Sequence, residues 1–250
     1  MISVIKKLIP KKAKTELKFW LYRLLSIEYS RSGLSLGISS RLNKTSPLNF
    51  IDIGANVGHF SQSIIKEFKV AKGVIIEPLR AHKSTLENKF GDRKKFKILN
   101  VAISDTNGKA IFFINEEFDS ISSLLSVNHQ SEELQGLHIS EPRKSSIQTM
   151  TLDTVGEEFD DAIIDLIKID VQGAEHLVLR SGTKTLKRTK MVYTEFSYKP
   201  LYENSSTFYD LYHFMYAQNY ILAEVSKGYT SQKGELLQGD AIFLNTLFIN

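Results

Sequence analysis

Apolar runs of strand length return along the chain at residues 49–53 (NFIDI), 73–77 (GVIIE), 97–103 (KILNVAI), 165–170 (DLIKID), 191–196 (MVYTEF), 220–225 (YILAEV) and 240–245 (DAIFLN). Between several of them, apolar residues fall at helical spacing, over 58–68, 79–89, 173–187 and 206–218. Strand, helix and strand in repetition predict an α/β domain, a seven-stranded, mostly parallel sheet with helices on both faces. The run GKAIFFINE reads as an extra strand entered through a turn at Asn107 and Gly108. Residues 116–148 break the rhythm with many polar positions. So long an irregular stretch in a compact domain predicts a functional loop, here a cover over the substrate.

The first 45 residues have a different character, and the chain divides into an extension, 1–45, and a domain, 46–250. From Ala13 to Ile27, Leu17, Trp20, Leu21, Leu24 and Leu25 recur at helical spacing and predict an amphipathic helix. The extension carries ten basic and two acidic residues, a net of +8, which leaves the remainder at −4. Lysines interrupt its apolar runs well short of the roughly 20 residues of a spanning helix, so it reads as neither a membrane span nor a secretory signal. The first reading is a helix covering one edge of its own domain. Its basic face also suits peripheral contact with an anionic membrane, and a homodimer contact is a third use. No nucleic-acid motif accompanies the charge, so no nucleic-acid partner is expected. The expected location is cytoplasmic, with the inner face of the membrane as the alternative. There is no cysteine, which removes disulfides and a thiolate nucleophile. The six histidines show no HExxH or similar spacing, and no metal is expected.

The most informative stretch is FIDIGANVGHF, residues 50–60, where a strand enters a turn with Gly54 and Gly58 and leaves as a helix. Open α/β sheets bind ligands beyond the carboxyl ends of their strands, and glycines let a ligand approach the main chain. Neither the GxxxxGK pattern of a P-loop nor GxGxxG is present. Asp52 before the turn is awkward beside a pyrophosphate and suits a cation. Glu77, closing the second strand, stands where an acid accepts hydrogen bonds from two ribose hydroxyls in dinucleotide folds.

Together with IIEP, NVAISD, TLDT, KIDVQGAE and YTEFS in that order, this turn resembles the FkbM family of class I S-adenosylmethionine-dependent methyltransferases, over about residues 49–245. The resemblance implies a Rossmann-like class I methyltransferase fold with S-adenosyl-L-methionine as cofactor. It implies that Asp52, Gly54, Ala55, Asn56 and Gly58 receive the methionine end, that Glu77 with Pro78 takes the ribose, and that Val101 and Ala102 line the adenine. It further implies O-methylation of a hydroxyl on a sugar or natural product; the basic extension makes a bacterial surface glycan or its precursor the preferred acceptor by association, and a carboxylate or nitrogen acceptor stays open.

Methyl transfer to oxygen needs a group to take the hydroxyl proton. Asp170 ends the fourth strand beside the crevice, and Lys168, two residues earlier, shares its side of the strand. Asp170 is thus the candidate base, with Lys168 holding its charge or binding the acceptor; a structural ion pair is the competing reading. Glu195 is the second acid expected to face the acceptor. Glu175 falls in the first turn of a helix, where capping is reason enough for an acid. The family commonly has Glu where this chain has Gln172. His59 and His176 read as ordinary helix residues, and Ser122, Ser123 and Leu124 resemble a short serine stretch of the family. Two other classes fit the same sheet: an NAD(P)-dependent Rossmann oxidoreductase, and a binding module that keeps the cofactor pocket without turnover.

Overall fold

A computed structural model of the chain describes residues 30, 32–91, 94–117, 119–128, 141–231 and 233–249. The amphipathic helix expected over residues 13–27 lies outside them.

Seven strands form the main sheet: β1 (Leu48–Ile53), β2 (Val70–Ile76), β3 (Phe96–Leu99), β7 (Ile164–Ile169), β8 (Thr189–Ser197), β9 (Tyr220–Lys227) and β10 (Gln238–Asn245). Their order is β3-β2-β1-β7-β8-β10-β9. The first five run parallel, and β10 is antiparallel to both neighbours. This is the seven-stranded, mostly parallel sheet that the spacing of apolar runs predicts. A smaller sheet has β6 (Arg143–Met150) between β4 (Ala102–Ile103) and β5 (Gly108–Ile114).

Alternation along each strand gives the main sheet two apolar faces. Ile51, Ile53, Ile76, Ile167, Ile169 and Val192 pack with residues of α4 (Leu152–Gly156), α5 (Glu175–Arg180), α6 (Thr183–Lys187) and α7 (Phe208–Ala217). On the other face Phe50, Ile75, Leu166, Met191 and Ile242 pack with Ile38 of α1 (Leu36–Arg41), Ile64 of α2 (His59–Glu67) and Leu86 of α3 (Arg80–Leu86). Leu34, Ile38 and Leu42, late in the basic extension, belong to this second core. Among the described residues no helix is long and apolar enough to cross a membrane.

Three elements depart from the sequence expectations. The run 97–103 is two strands in two sheets, because Asn100 turns back and donates to the carbonyls of Glu77 (2.8 Å) and Pro78 (3.0 Å). The single helix expected over 173–187 is broken at Ser181 and Gly182, where α4 docks: Asp153 N–H takes the Ser181 carbonyl and Leu152 N–H takes its hydroxyl. The irregular stretch 116–148 ends in the strand β6, whose small polar side chains pair with β5. Of its described residues, Asp119, Ser120, Ser122 and Leu124 line the functional cavity.

Candidate active site

At the carboxyl ends of β1, β2 and β7 the chain encloses a cavity of about 400 Å³, within the roughly 300–1,000 Å³ usual for small-molecule sites. Ile53, Ile76, Val101, Ile103, Phe112 and Leu124 supply apolar walls. Asn56, Glu77, Asp119, Ser122, Asp170 and Gln172 supply the polar groups.

The glycine turn is fixed by backbone bonding and by space. Gly54 and Ala55 N–H both donate to the Ile76 carbonyl, at 3.0 and 2.9 Å. Gly54 has φ 73°, and an added Cβ would stand 1.8 Å from the Asp170 carbonyl oxygen. Only glycine lets β1 and β7 end this close together. Gly54 and Asn56 face the cavity, whereas Ala55 and Gly58 are buried behind it in the α2 and α3 core.

Glu77 is 6% exposed and presents its carboxylate at the cavity wall. Asn56 N–H donates to its Oε2 at 2.8 Å and Leu79 N–H to its Oε1 at 2.9 Å. Burial pushes its pKa up, against these two bonds and the fields of His82 and Lys168. Each oxygen keeps a further lone pair for a ligand hydroxyl. Pro78, Val101 and Ala102 also line the cavity.

Asp52 lies beneath the turn and not in the cavity, and Lys168, beside Asp170 as expected, also reaches Asp52 and does not enter the cavity. Asp52 is fully buried beneath the turn, accepting from Ser61 Oγ at 2.6 Å, with Oδ1 3.5 Å from Lys168 Nζ. The two residues face each other in register on β1 and β7. Lys168 Nζ donates to the Gly54 carbonyl at 2.6 Å and lies 3.4 Å from Asp170 Oδ2. Burial acts to lower its pKa, but Asp170 and Asp52 outweigh that and hold it above the ordinary value. Lys168 is therefore an ammonium that clamps the glycine turn to β7 and pairs with Asp52. Neither side chain lines the cavity.

Asp170 does line it, with its side chain 42% exposed. Glu195 stands behind Gln172, whose Nε2 donates to Asp170 Oδ1 at 2.8 Å and to Glu195 Oε2 at 3.1 Å. Burial, then the nearby charges of Asp170, Glu175 and Asp240, push Glu195 well above the usual carboxylate range, with Lys168 opposing. Glu175, 4% exposed, accepts from the N–H groups of Val171 (3.2 Å) and Gly173 (3.1 Å), and burial raises its pKa to about 7. Its capping role is thus directed at the turn before α5.

The roof comes from residues 119–128. Ser123 Oγ donates to the Val171 carbonyl at 3.2 Å, Ser122 Oγ accepts from Asn115 N–H at 3.0 Å, and Val127 pairs with Tyr202. Asp119 Oδ2 lies 3.1 Å from Nε2 of the buried His82 on α3. His59 is exposed and away from the cavity, and His176 is half-buried on α5. Tyr202 and His82 escape the sequence reading. Asn100 was legible as a polar strand end, whereas the other two have no local signal.

A cavity over the carboxyl ends of β1 and β2, on a parallel sheet with an antiparallel strand next to one edge, is the arrangement of a class I methyltransferase. The chain belongs to the FkbM methyltransferase family: the model of the methyltransferase FkbM domain matches residues 52–222. It is 32% identical over 172 residues to the 2-O-methyltransferase NoeI of Sinorhizobium fredii, covering 66% of this chain and 70% of that protein. The crystal structure of methyltransferase FkbM from Methylobacillus flagellatus KT shares the fold, with a TM-score of 0.54 at 17% identity over 86% of this chain. The chain spans about half, 48%, of that relative's length.

Proposed function

We propose that this methyltransferase uses S-adenosylmethionine to methylate a hydroxyl oxygen, on a sugar of a surface glycan or its precursor. The observation that carries the reading is one cavity walled by Glu77 at one strand end and by Asp170 at another. The residues fit the cofactor. Glu77 is held by two main-chain N–H groups with acceptor capacity left for a ribose diol, and Gly54 and Asn56 wall the part of the cavity that suits the methionine end. Pro78, Val101 and Ala102 offer apolar surface to the base.

When bound, the cofactor supplies an electrophilic methyl carbon whose bond to sulfur breaks toward sulfur as the acceptor oxygen takes the methyl. The chain's own part is alignment and proton removal. Asp170, open to the cavity, accepts the hydroxyl proton, and Lys168 keeps it anchored from below. Val101, Ile103, Phe112 and Leu124 help exclude water from the reacting atoms. The acceptor class is supported by the 2-O-methyltransferase relative.

Calorimetric titration with S-adenosylmethionine, and separately with NADH, tests the cofactor. Binding of S-adenosylmethionine alone is expected, and Glu77→Ala should weaken it about 100-fold or more, the loss of two hydrogen bonds to a charged group at about 1.5–3 kcal/mol each. Binding of NADH instead, or of neither ligand to folded protein, overturns the reading in favour of the oxidoreductase or the loss of the site. Methyl transfer from labelled cofactor to a panel of neutral saccharides then tests the acceptor, and a folded, cofactor-binding protein that labels none of them points to the silent module.

A further inference from the structure

Gln172 has a left-handed backbone, φ 57°, and is followed by Gly173 at φ 92°. Backbone strain at a residue other than glycine persists only where the surroundings over-determine it, and here they do. Glu175 Oε1 gathers the N–H groups of Val171 and Gly173, and the Tyr202 ring lies so close to Gly173 that an added Cβ would come within 2.6 Å of it. What this backbone achieves is the direction of one amide. Nε2 donates to Asp170 Oδ1 at 2.8 Å and to Glu195 Oε2 at 3.1 Å, while Oε1 accepts from the Tyr202 hydroxyl at 3.2 Å. The opposite amide orientation would set a carbonyl oxygen against two carboxyl groups, so the chemistry of the neighbours fixes which end faces them.

We propose that Gln172 is a positioning residue of the acceptor end: its amide holds Asp170 and Glu195 as a pair, Asp170 toward the cavity and Glu195 behind the wall, and Tyr202 fixes the amide. This rests on the proposed function in one respect, that Asp170 is the base.

The groups facing Glu195 are Asp170 and Lys168 from β7, Gln172, Glu175 from α5, Asp240 directly opposite on β10, and Tyr202. Among the described residues four carboxyl groups share one ammonium there, and that ammonium is also paired with Asp52 and bonded to the Gly54 carbonyl. In such company a neutral double donor does what a further charge cannot. It favours the ionised form of Glu195 without adding to the repulsion around it. A carboxylate in its place would enlarge the cluster, and an apolar side chain would leave Asp170 free to rotate from the cavity.

The test uses the full chain without cofactor. Glutamate labelled with ¹³C at the side-chain carboxyl gives the titration midpoint of Glu195 by NMR, assigned by its disappearance in Glu195→Gln. Gln172→Met keeps the side-chain length and removes both donors, and an upward shift of about one pH unit is expected. Gln172→Glu should shift the midpoint further up. Tyr202→Phe, which keeps the ring over Gly173, should move it the same way by less. A Glu195 midpoint that stays within about 0.3 unit of wild type in folded Gln172→Met, or falls, overturns the proposal. If Gln172→Met does not fold, the Tyr202→Phe midpoint decides by the same criterion. Because no cofactor is present, failure here leaves the cofactor reading intact, and failure of cofactor binding leaves this result intact.

Discussion

Two clusters of acidic and polar side chains, one at the end of α2 and one at the ends of β7 and β8, behave in opposite ways. At the end of α2, Glu67 accepts from the hydroxyls of Ser30 (2.7 Å), Ser32 (2.5 Å) and Ser39, and from Lys44 Nζ at 2.8 Å. Burial acts to raise its pKa, but Lys44 and the three serines outweigh it and bring the value down to about 2. At the end of β7 and β8 the carboxyl groups of Asp170, Glu175, Glu195 and Asp240 face one another, and Glu175 rises to about 7. The first cluster supplies every acceptor with a donor and ties α1 to the core. The second crowds four carboxyl groups around one ammonium among the described residues; Glu175 has two main-chain N–H donors and Asp240 the Tyr193 and Ser226 hydroxyls, yet burial and mutual repulsion hold Glu175, Glu195 and Asp240 above their ordinary values, at a cost in stability. Unlike the first, it adjoins the cavity.

The sharpest way to separate the two is to neutralise one acid in each. Asp170→Asn should lower methyl transfer by about 10²–10⁴, the usual contribution of a general base, with folding retained. The measurement is turnover under saturating cofactor, and retention of most activity would move the base elsewhere, first to Glu195.

The pH dependence of stability distinguishes the clusters by sign. Glu175 has its folded pKa raised, so its contribution is fully present below the unfolded value of 4.5 and is lost as pH rises through about 7. That interval corresponds to about 3 kcal/mol. Denaturant melts between pH 4.5 and 8 should show the loss, and Glu175→Gln should flatten it. Glu67 has its pKa depressed, so its contribution is present above 4.5 and lost as pH falls through about 2. After solvent screening it is worth about 1–2 kcal/mol. Glu67→Ala should therefore lose about that amount at neutral pH in the same melts while leaving methyl transfer unchanged.

The contrast also explains what the sequence could disclose. All seven strands of the main sheet were legible, because each is an apolar-rich run bounded by turns, largely buried in central strands such as β1 and β7 and half-exposed in the edge strand β9. The glycine turn and Glu77 were legible because the ligand site of such a sheet lies at a fixed place in the strand order. β6 was not, because RKSSIQTM alternates small polar side chains on a mostly exposed sheet and carries no apolar period. Lys168 was correctly placed beside Asp170, but its turn toward Asp52 and the Gly54 carbonyl depends on the β1–β7 register, a long-range fact. The bridge from Gln172 to Tyr202 and Glu195 was hidden for the same reason. It joins residues 30 and 23 positions apart through a left-handed turn that a glutamine does not announce. Local pattern reveals what burial periodicity writes, and polar networks between strand ends are written only in the pairing.

The smallest effect concerns how the Glu67 cluster is held. Among the described residues Lys44 is the one cation on Glu67, yet its side chain is 56% exposed, against 12% for Glu67. An exposed ammonium is screened and gives up side-chain freedom to stay in place, so its pair is worth about 0.2–1 kcal/mol. The serine hydroxyls are the shielded partners and should supply most of the stabilisation. Lys44→Ala is accordingly expected to cost under about 1 kcal/mol, and less than Ser39→Ala, in denaturant melts at neutral pH. A double-mutant cycle between Lys44 and Glu67, repeated at high salt, isolates the pair. If its coupling matched the whole cost of Glu67→Ala and vanished in salt, the cluster would be an ion pair decorated by hydroxyls. Its contrast with the acids around Gln172 would then be one of charge balance alone, with hydrogen-bond supply playing no part.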